Sequence, residues 1–265
     1  MFFHDYELDE IFGFAEQADM DTLEFWIETP CFWLNGTDPE ILKACMKNHP
    51  DLLPINIHAP VLDLNPCSIN PHVAEVSIMY AVNAIRLADE LHADVVTLHP
   101  GRRTTHRQAG KADFNRFMHY MDEIESAASS TGIRVSIENM ENRVNSLVST
   151  PAEMRRVLDE YPFLWFTFDI AHALLESEKT ALEFIECCYD RIANIHASGC
   201  NTGSVHIPVS MDESAMRTLE HLNEQGYDGV ITIEMDDLTF SRHLNAGEKV
   251  SILANEQKVI ENIFC

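Results

Sequence analysis

Val95-Val96-Thr97-Leu98-His99-Pro100-Gly101 is an apolar, β-branched run that stops at a histidine and passes at once into Pro-Gly. A run of this length bounded by a turn signal reads as a strand. The same pattern recurs in Ile55-Asn56-Ile57-His58, Val135-Ser136-Ile137-Glu138, Phe166-Thr167-Phe168-Asp169, Asn194-Ile195-His196 and Ile231-Thr232-Ile233-Glu234. With Thr22 to Ile27 and a short run at Phe2-Phe3-His4, eight strands are expected, the others spanning 53–58, 95–99, 134–138, 164–169, 191–196 and 230–234. Segments of helical period separate them, and three of these open with a capping side chain before a proline: Asp38-Pro39, Asn70-Pro71 and Thr150-Pro151. Thr150 with Glu153 also fits a capping box. Eight β-α units in about 250 residues predict one closed (β/α)8 TIM barrel over residues 1–265, with its active site at the C-terminal ends of the strands. An open doubly wound sheet would carry a phosphate-binding glycine motif after a strand, and none is present.

The composition agrees with a folded α/β protein. Of 265 residues 46% are hydrophobic and 23% charged, with no low-complexity tract. No apolar stretch approaches the ~20 residues of a membrane span, and no basic region followed by a long apolar one opens the chain. A cytoplasmic protein with no membrane partner is expected. The seven cysteines are odd in number and lack C-x-x-C spacing, which reads as reduced thiols. With 18 Lys plus Arg against 43 Asp plus Glu, the formal charge of -25 opposes non-specific binding to polyanions.

The strand ends carry the chemistry. His58, His99, Glu138, Asp169, His196 and Glu234 each close or follow a strand, with His172 and His206 in the loops beyond. A barrel would gather these carboxylates and imidazoles at one mouth, where without a cation the gathering is costly. A divalent metal resolves the cost, and imidazole with carboxylate suits Zn, Mn, Fe or Co.

As a set, His58-Ala59-Pro60, His99-Pro100-Gly101, Glu138-Asn139, Asp169 with His172, His196 and Glu234 resemble the xylose isomerase-like barrel superfamily, from about Leu23 to about Asp236. That superfamily includes sugar and sugar-phosphate isomerases and epimerases as well as endonuclease IV. In the isomerase and epimerase branch the resemblance implies one divalent ion, Zn or Mn, held by Glu138, Asp169, His196 and Glu234. Glu138 and Glu234 would then be the catalytic proton carriers, and His172 would steady a substrate oxygen. The endonuclease IV branch implies three zinc ions, with His58, His99, Glu138, Asp169, His172, His196, His206 and Glu234 as ligands and abasic DNA as substrate. Its ninth ligand departs here, because Ser204 stands where that branch has an aspartate. The epimerase branch is also imperfectly matched, since its Pro-Gly-x-Gly element is missing around Pro208. A sugar or sugar-phosphate isomerase is the leading expectation, and one to three ions remain open.

The densest positive run, Arg102-Arg103-Thr104-Thr105-His106-Arg107, follows His99-Pro100-Gly101. Arg102, Arg103 and Arg107 are candidates to bind a phosphate, against the plainer reading of a solvated loop. Asn139 either contacts substrate or holds its loop. Phe25, Trp26, Phe32 and Trp33 flank Glu24 and Glu28, and form either core and lid or a wall against a sugar ring. Glu28 is placed where it could reach the pocket. His49, His72, His92, His119 and His221 fall on helices and read as surface, and Cys187-Cys188 as core. A homo-oligomer stays open.

Overall fold

The computed structural model describes residues 2–264. Seven parallel strands form one sheet in chain order: β1 (Glu24–Trp26), β2 (Asn56–His58), β3 (Val95–Leu98), β4 (Arg134–Glu138), β5 (Trp165–Asp169), β6 (Ile192–Ala197) and β9 (Val230–Ile233). Helices α1 (Leu8–Gln17), α2 (Pro30–Trp33), α3 (Pro39–Asn48), α4 (Pro71–Glu90), α5 (Lys111–Ala128), α6 (Pro151–Glu160), α7 (Ile170–Leu174), α8 (Glu178–Cys188), α9 (Glu213–Glu224) and α10 (Ala246–Phe264) precede and connect them. The sheet curls into a nearly closed barrel. Contacts across its interior join strands that are not neighbours: Thr97 Oγ1 lies 3.1 Å from Thr167 Oγ1, and Asn194 Nδ2 donates to Glu24 Oε2 at 2.8 Å. A separate antiparallel hairpin, β7 (Gly199–Asn201) and β8 (Ser204–Ile207), rises after β6.

One expected strand is absent. Residues 2–5 form a turn, and the rings of Phe2 and Phe3 pack on each other at 5.2 Å, whereas successive side chains of a strand point to opposite faces. Phe2 packs with Met235, Leu244 and Leu253, and its carbonyl accepts a hydrogen bond from Lys249 Nζ (2.7 Å). The segment thus works as an apolar plug beside β9. Among the described residues β1 and β9 remain unpaired edges.

Alternation along the strands sorts polar from apolar. Phe166 and Phe168 turn outward, each fully buried and within 5.9 Å of the Phe184 ring on α8. Thr167 between them turns inward, donating to Ser136 Oγ at 2.7 Å. Two polar layers therefore fill the barrel, which is the period-two rule applied strand by strand. Glu24, Asn56, Thr97, Ser136, Thr167, Asn194 and Thr232 form the lower layer, and two residues further on come His58, His99, Glu138, Asp169, His196 and Glu234. Here the six strand-end groups are delivered to one mouth.

Helix starts follow the side-chain chemistry. Asp38, Asn70 and Thr150 accept from the amides of Glu40, His72 and Glu153, relieving donors that a helix N-terminus leaves without partners. The Glu153 carboxylate reaches back one residue past the cap, accepting from Ser149 N at 3.1 Å. In denaturant titrations, Phe184→Ala should lower stability by about 3–5 kcal/mol, the range for emptying a large aromatic site. Thr150→Ala should cost only about 1 kcal/mol; equal midpoint shifts for the two variants would show that the outer aromatic layer is not the main source of cohesion.

Candidate metal centre

The strand ends converge as three groups of donors, each group with its atoms within 4.8 Å of one another: Glu138, Asp169, His196 and Glu234; His58, His99 and Glu138; Asp169, His172 and His206. Glu138 belongs to the first two groups, and Asp169 to the first and third. All eight expected ligands are therefore brought together. Glu138 is the hub, with His99 Nε2 at 3.1 Å, His172 Nδ1 at 3.3 Å and His58 Nε2 at 3.5 Å from its oxygens.

The first group fits a cation best. Glu138 Oε2, Asp169 Oδ2, His196 Nδ1 and Glu234 Oε2 are all buried without a well-directed hydrogen bond. They nevertheless crowd together, with His196 Nδ1 2.9 Å from Glu234 Oε2 and 3.7 Å from Glu138 Oε2. Buried polar atoms are rarely left this way, and four from one donor set meet a single need if a divalent ion sits among them.

Backbone and side-chain partners orient the imidazoles. His58 Nδ1 is 2.9 Å from the Ala59 carbonyl, so donation there leaves Nε2 facing Glu138. His172 Nδ1 is 2.9 Å from the Asn139 carbonyl, so donation there leaves Nε2 as the nitrogen free to ligate. His196 Nε2 is 2.9 Å from Glu24 Oε2, which leaves Nδ1 for the centre. This is the carboxylate–histidine arrangement that fixes a ligating ring and raises its basicity. His206 adopts a left-handed backbone (φ 60), uncommon for residues other than glycine though better tolerated by histidine than by most. That turn brings its Nδ1 to 3.1 Å from Ser198 Oγ and 4.0 Å from Asp169 Oδ2. Ser204 lies at the hairpin turn, its amide donating to Asn201 Oδ1.

Charge balance shows the same need. Burial raises the Glu24 carboxyl, but the facing His196 outweighs it and brings the group down to about 2. Burial likewise opposes ionisation of Glu138 and Glu234, yet His99 with His196, and His206 with His196, hold them well below the carboxylate range. Asp169 goes the other way, pushed by burial to about 6. Burial lowers His172 and His196, but the surrounding carboxylates raise the first to about 10 and the second well above its ordinary value. With no cation, protons on the imidazoles must neutralise the carboxylates.

Other expectations sort differently. Asn139 holds its loop: its amide pairs both ways with the Asp169 backbone, at 2.8 and 2.9 Å, and the residue is fully buried and does not line the cavity. Arg103 is structural, tied to Asp113 Oδ2 (3.1 Å), the Gln108 carbonyl and Thr105. Arg107 does not line the cavity of about 1470 Å³ that runs from the mouth to the N-terminal ends of the strands, whereas Arg102 does; both side chains are exposed. Glu28 does not enter the site but accepts from the amides of Val61 and Leu62. Phe25 and Phe32 are core, Trp33 packs on Tyr80, and Trp26 lines the cavity beside His4. His49 is mostly enclosed between Asp9 and Glu16 rather than at the surface, and Cys187 is exposed where Cys188 is buried. The six described cysteines are free thiols. Glu24 is the functional residue that sequence reading missed. Its signal is a polar residue two positions before the strand end, in Glu24-Phe25-Trp26 as in Asn194-Ile195-His196.

The sequence profile of the xylose isomerase-like TIM barrel family matches residues 12–256. The chain belongs to this family. It is 30% identical to the uncharacterised protein MJ1188 of Methanocaldococcus jannaschii over 267 residues, covering all of this chain and 97% of that one. Among solved structures, a D-tagatose 3-epimerase-like protein superposes with a TM-score of 0.71 at 25% identity, covering 92% of this chain and 90% of that one. A probable endonuclease 4 of a Sulfurihydrogenibium species is 25% identical over 156 residues, 58% of this chain and 52% of that protein. No helix among the described residues is long and apolar enough to cross a membrane.

Glu24→Gln retains the shape but removes the charge facing His196. It should weaken divalent-ion affinity about 10–100-fold in competition with a chromophoric chelator, with circular dichroism unchanged. An affinity equal to that of the unaltered chain would show that Glu24 serves packing alone.

Proposed function

We propose that this protein is a divalent-metal-dependent sugar isomerase or epimerase, with Glu138, Asp169, His196 and Glu234 as the metal ligands. One observation carries the reading: the four orphaned buried atoms of the mouth belong to those four residues and to one donor group. The likeness to a D-tagatose 3-epimerase-like protein supports a sugar as substrate.

A divalent ion bound there, Zn or Mn in donor chemistry, supplies Lewis-acid polarisation of a carbonyl and its neighbouring hydroxyl. Glu138 and Glu234 then carry the proton. Both are held ionised by facing imidazoles, so either can accept a proton from the carbon beside the carbonyl, and the other can return one. Glu24 keeps the His196 ring in place, and Asn139 fixes the backbone from which Asp169 and His172 project. Trp26 gives the cavity wall an apolar face on which a sugar ring can lie.

A second reading has its own support. His58, His99 and His206 complete two further donor groups around Glu138 and Asp169, which a one-ion isomerase does not require. They favour a zinc phosphodiesterase acting on abasic DNA, and the endonuclease 4 similarity points the same way. The third group is short of a carboxylate, because Ser204 offers only a hydroxyl.

With a turned-over ketose in deuterium oxide and matched metal content, Glu138→Gln and Glu234→Gln should each cut solvent-hydrogen incorporation at least about 100-fold. Unchanged incorporation would remove both from proton transfer. Incision of an abasic duplex by the zinc-loaded protein, without turnover of any sugar, would replace the isomerase reading by the phosphodiesterase one.

A further inference from the structure

Two consecutive arginines beyond His99 have opposite fates. The Arg103 guanidinium is consumed by Asp113, the Gln108 carbonyl and Thr105. Arg102 lines the cavity, and its guanidinium makes no hydrogen bond or ion pair with any described residue. The backbone beneath it is fixed. Arg102 N donates to Asn65 Oδ1 at 3.0 Å, and the Arg102 carbonyl accepts from Asn65 Nδ2 at 2.9 Å. Gly101 permits this approach: its φ is +78, and a Cβ there would lie 2.9 Å from Asn65 Oδ1. Arg102 is exposed at the cavity's edge, and an arginine left unpaired on a fixed backbone there is unusual in a chain with a formal charge of -25, where acidic partners are abundant.

The loop after β4 completes the feature. Arg102 bridges Ser146 in antiparallel fashion, Arg103 N donates to the Asn145 carbonyl at 2.9 Å, and Asn145 Nδ2 donates to the Arg103 carbonyl at 3.0 Å. The two loops thus form one arch at the C-terminal end of the barrel. Arg143 lines the cavity from the second loop, its Nε held by Glu141 at 2.5 Å and its terminal nitrogens otherwise unengaged; His106 lines it from the first. A tight turn steadies Arg143, with Ser146 N donating to the Arg143 carbonyl and Ser146 Oγ to the Glu141 carbonyl.

We propose that the arch binds the phosphate of a phosphorylated sugar, with Arg102 as the principal contact and Arg143 and His106 beside it. The substrate class rests on the isomerase reading, whereas the phosphate site itself does not. Guanidinium offers a planar fork of donors that matches phosphate oxygens, and it gains most where no carboxylate competes. Arg102 is three residues past His99, so its Cα lies within about 11 Å of that of His99. That span suits a short sugar chain with its carbonyl end at the centre and its phosphate at the rim. Two arginines and one imidazole on two exposed, mutually hydrogen-bonded loops suit one phosphomonoester. A DNA backbone would call for a longer track of Lys and Arg.

The test measures inorganic phosphate binding to as-purified full-length protein by equilibrium dialysis, with metal content matched among variants. Arg102→Gln and Arg143→Gln should each weaken binding at least tenfold, Arg102→Lys less, and Arg107→Gln, on the same loop but off the cavity, less than twofold. Equal losses in all three glutamine variants, or no phosphate binding by the unaltered chain, would overturn the site. With the metal-loaded enzyme, a ketose phosphate should exceed its unphosphorylated counterpart at least 100-fold in kcat/KM, with the advantage mostly in KM and mostly erased by Arg102→Gln. Arg102-dependent phosphate binding without turnover of either sugar would leave the phosphate site standing and sink the isomerase reading. Phosphate displaced by an abasic oligonucleotide that is then incised would overturn the sugar phosphate as occupant.

Discussion

Three buried groups at the barrel mouth, Glu138, Asp169 and His196, and the half-buried Glu234 face one another across distances at which like charges repel and imidazoles hold their protons more tightly. Three carboxylates cannot be taken out of water together unless positive charge is taken in with them. Protons on His172 and His196 supply it in the absence of a cation, as their raised basicity shows. A divalent ion held by these four residues would supply it for all four orphaned atoms at once. Much else at this end of the molecule follows from the need to hold these groups in place.

The layer below the mouth does that holding. Asn194 accepts from Thr232 and donates to Glu24, and Glu24 in turn faces His196, so one polar chain crosses the barrel and ends on a ring of the centre. Thr97, Thr167 and Ser136 close a second network nearby. Many barrels fill this space with branched aliphatic residues. Here polar side chains occupy it, and the cohesion expected of a core moves outward to Phe166, Phe168 and Phe184, between strands and helices.

What could be read from the sequence followed from local pattern. A strand ending in His, Glu or Asp is visible in five residues, and periodicity then aims that residue at the mouth, so the six strand-end candidates lie together, with His172 and His206 reaching them from the segments beyond. The failures came where tertiary context decided. Phe2-Phe3-His4 resembles a strand in composition, but its rings are used as a plug beside β9. Arg102 and Arg103 are indistinguishable in sequence, and only the position of Asp113 on α5 divides them. Asn139 follows a candidate ligand and looks available, yet it is fully buried with its amide paired to the Asp169 backbone. Glu24 lay in plain view between aromatics, and its role depends on a partner 172 residues away. The β7–β8 hairpin, which swings His206 toward the centre, has no strong local signal.

Membership of the xylose isomerase-like TIM barrel family fixes the frame, but frames of this kind host several chemistries. The metal is what the proposed chemistries share, so its presence is the central claim. Elemental mass spectrometry of protein purified without chelator and without added metal tests it most directly. At least one Zn, Mn, Fe or Co per chain is predicted, with a marked fall in a Glu138→Gln, Glu234→Gln double variant that remains folded. A folded protein that carries none of these metals, and takes up none when Zn or Mn is supplied, would contradict it.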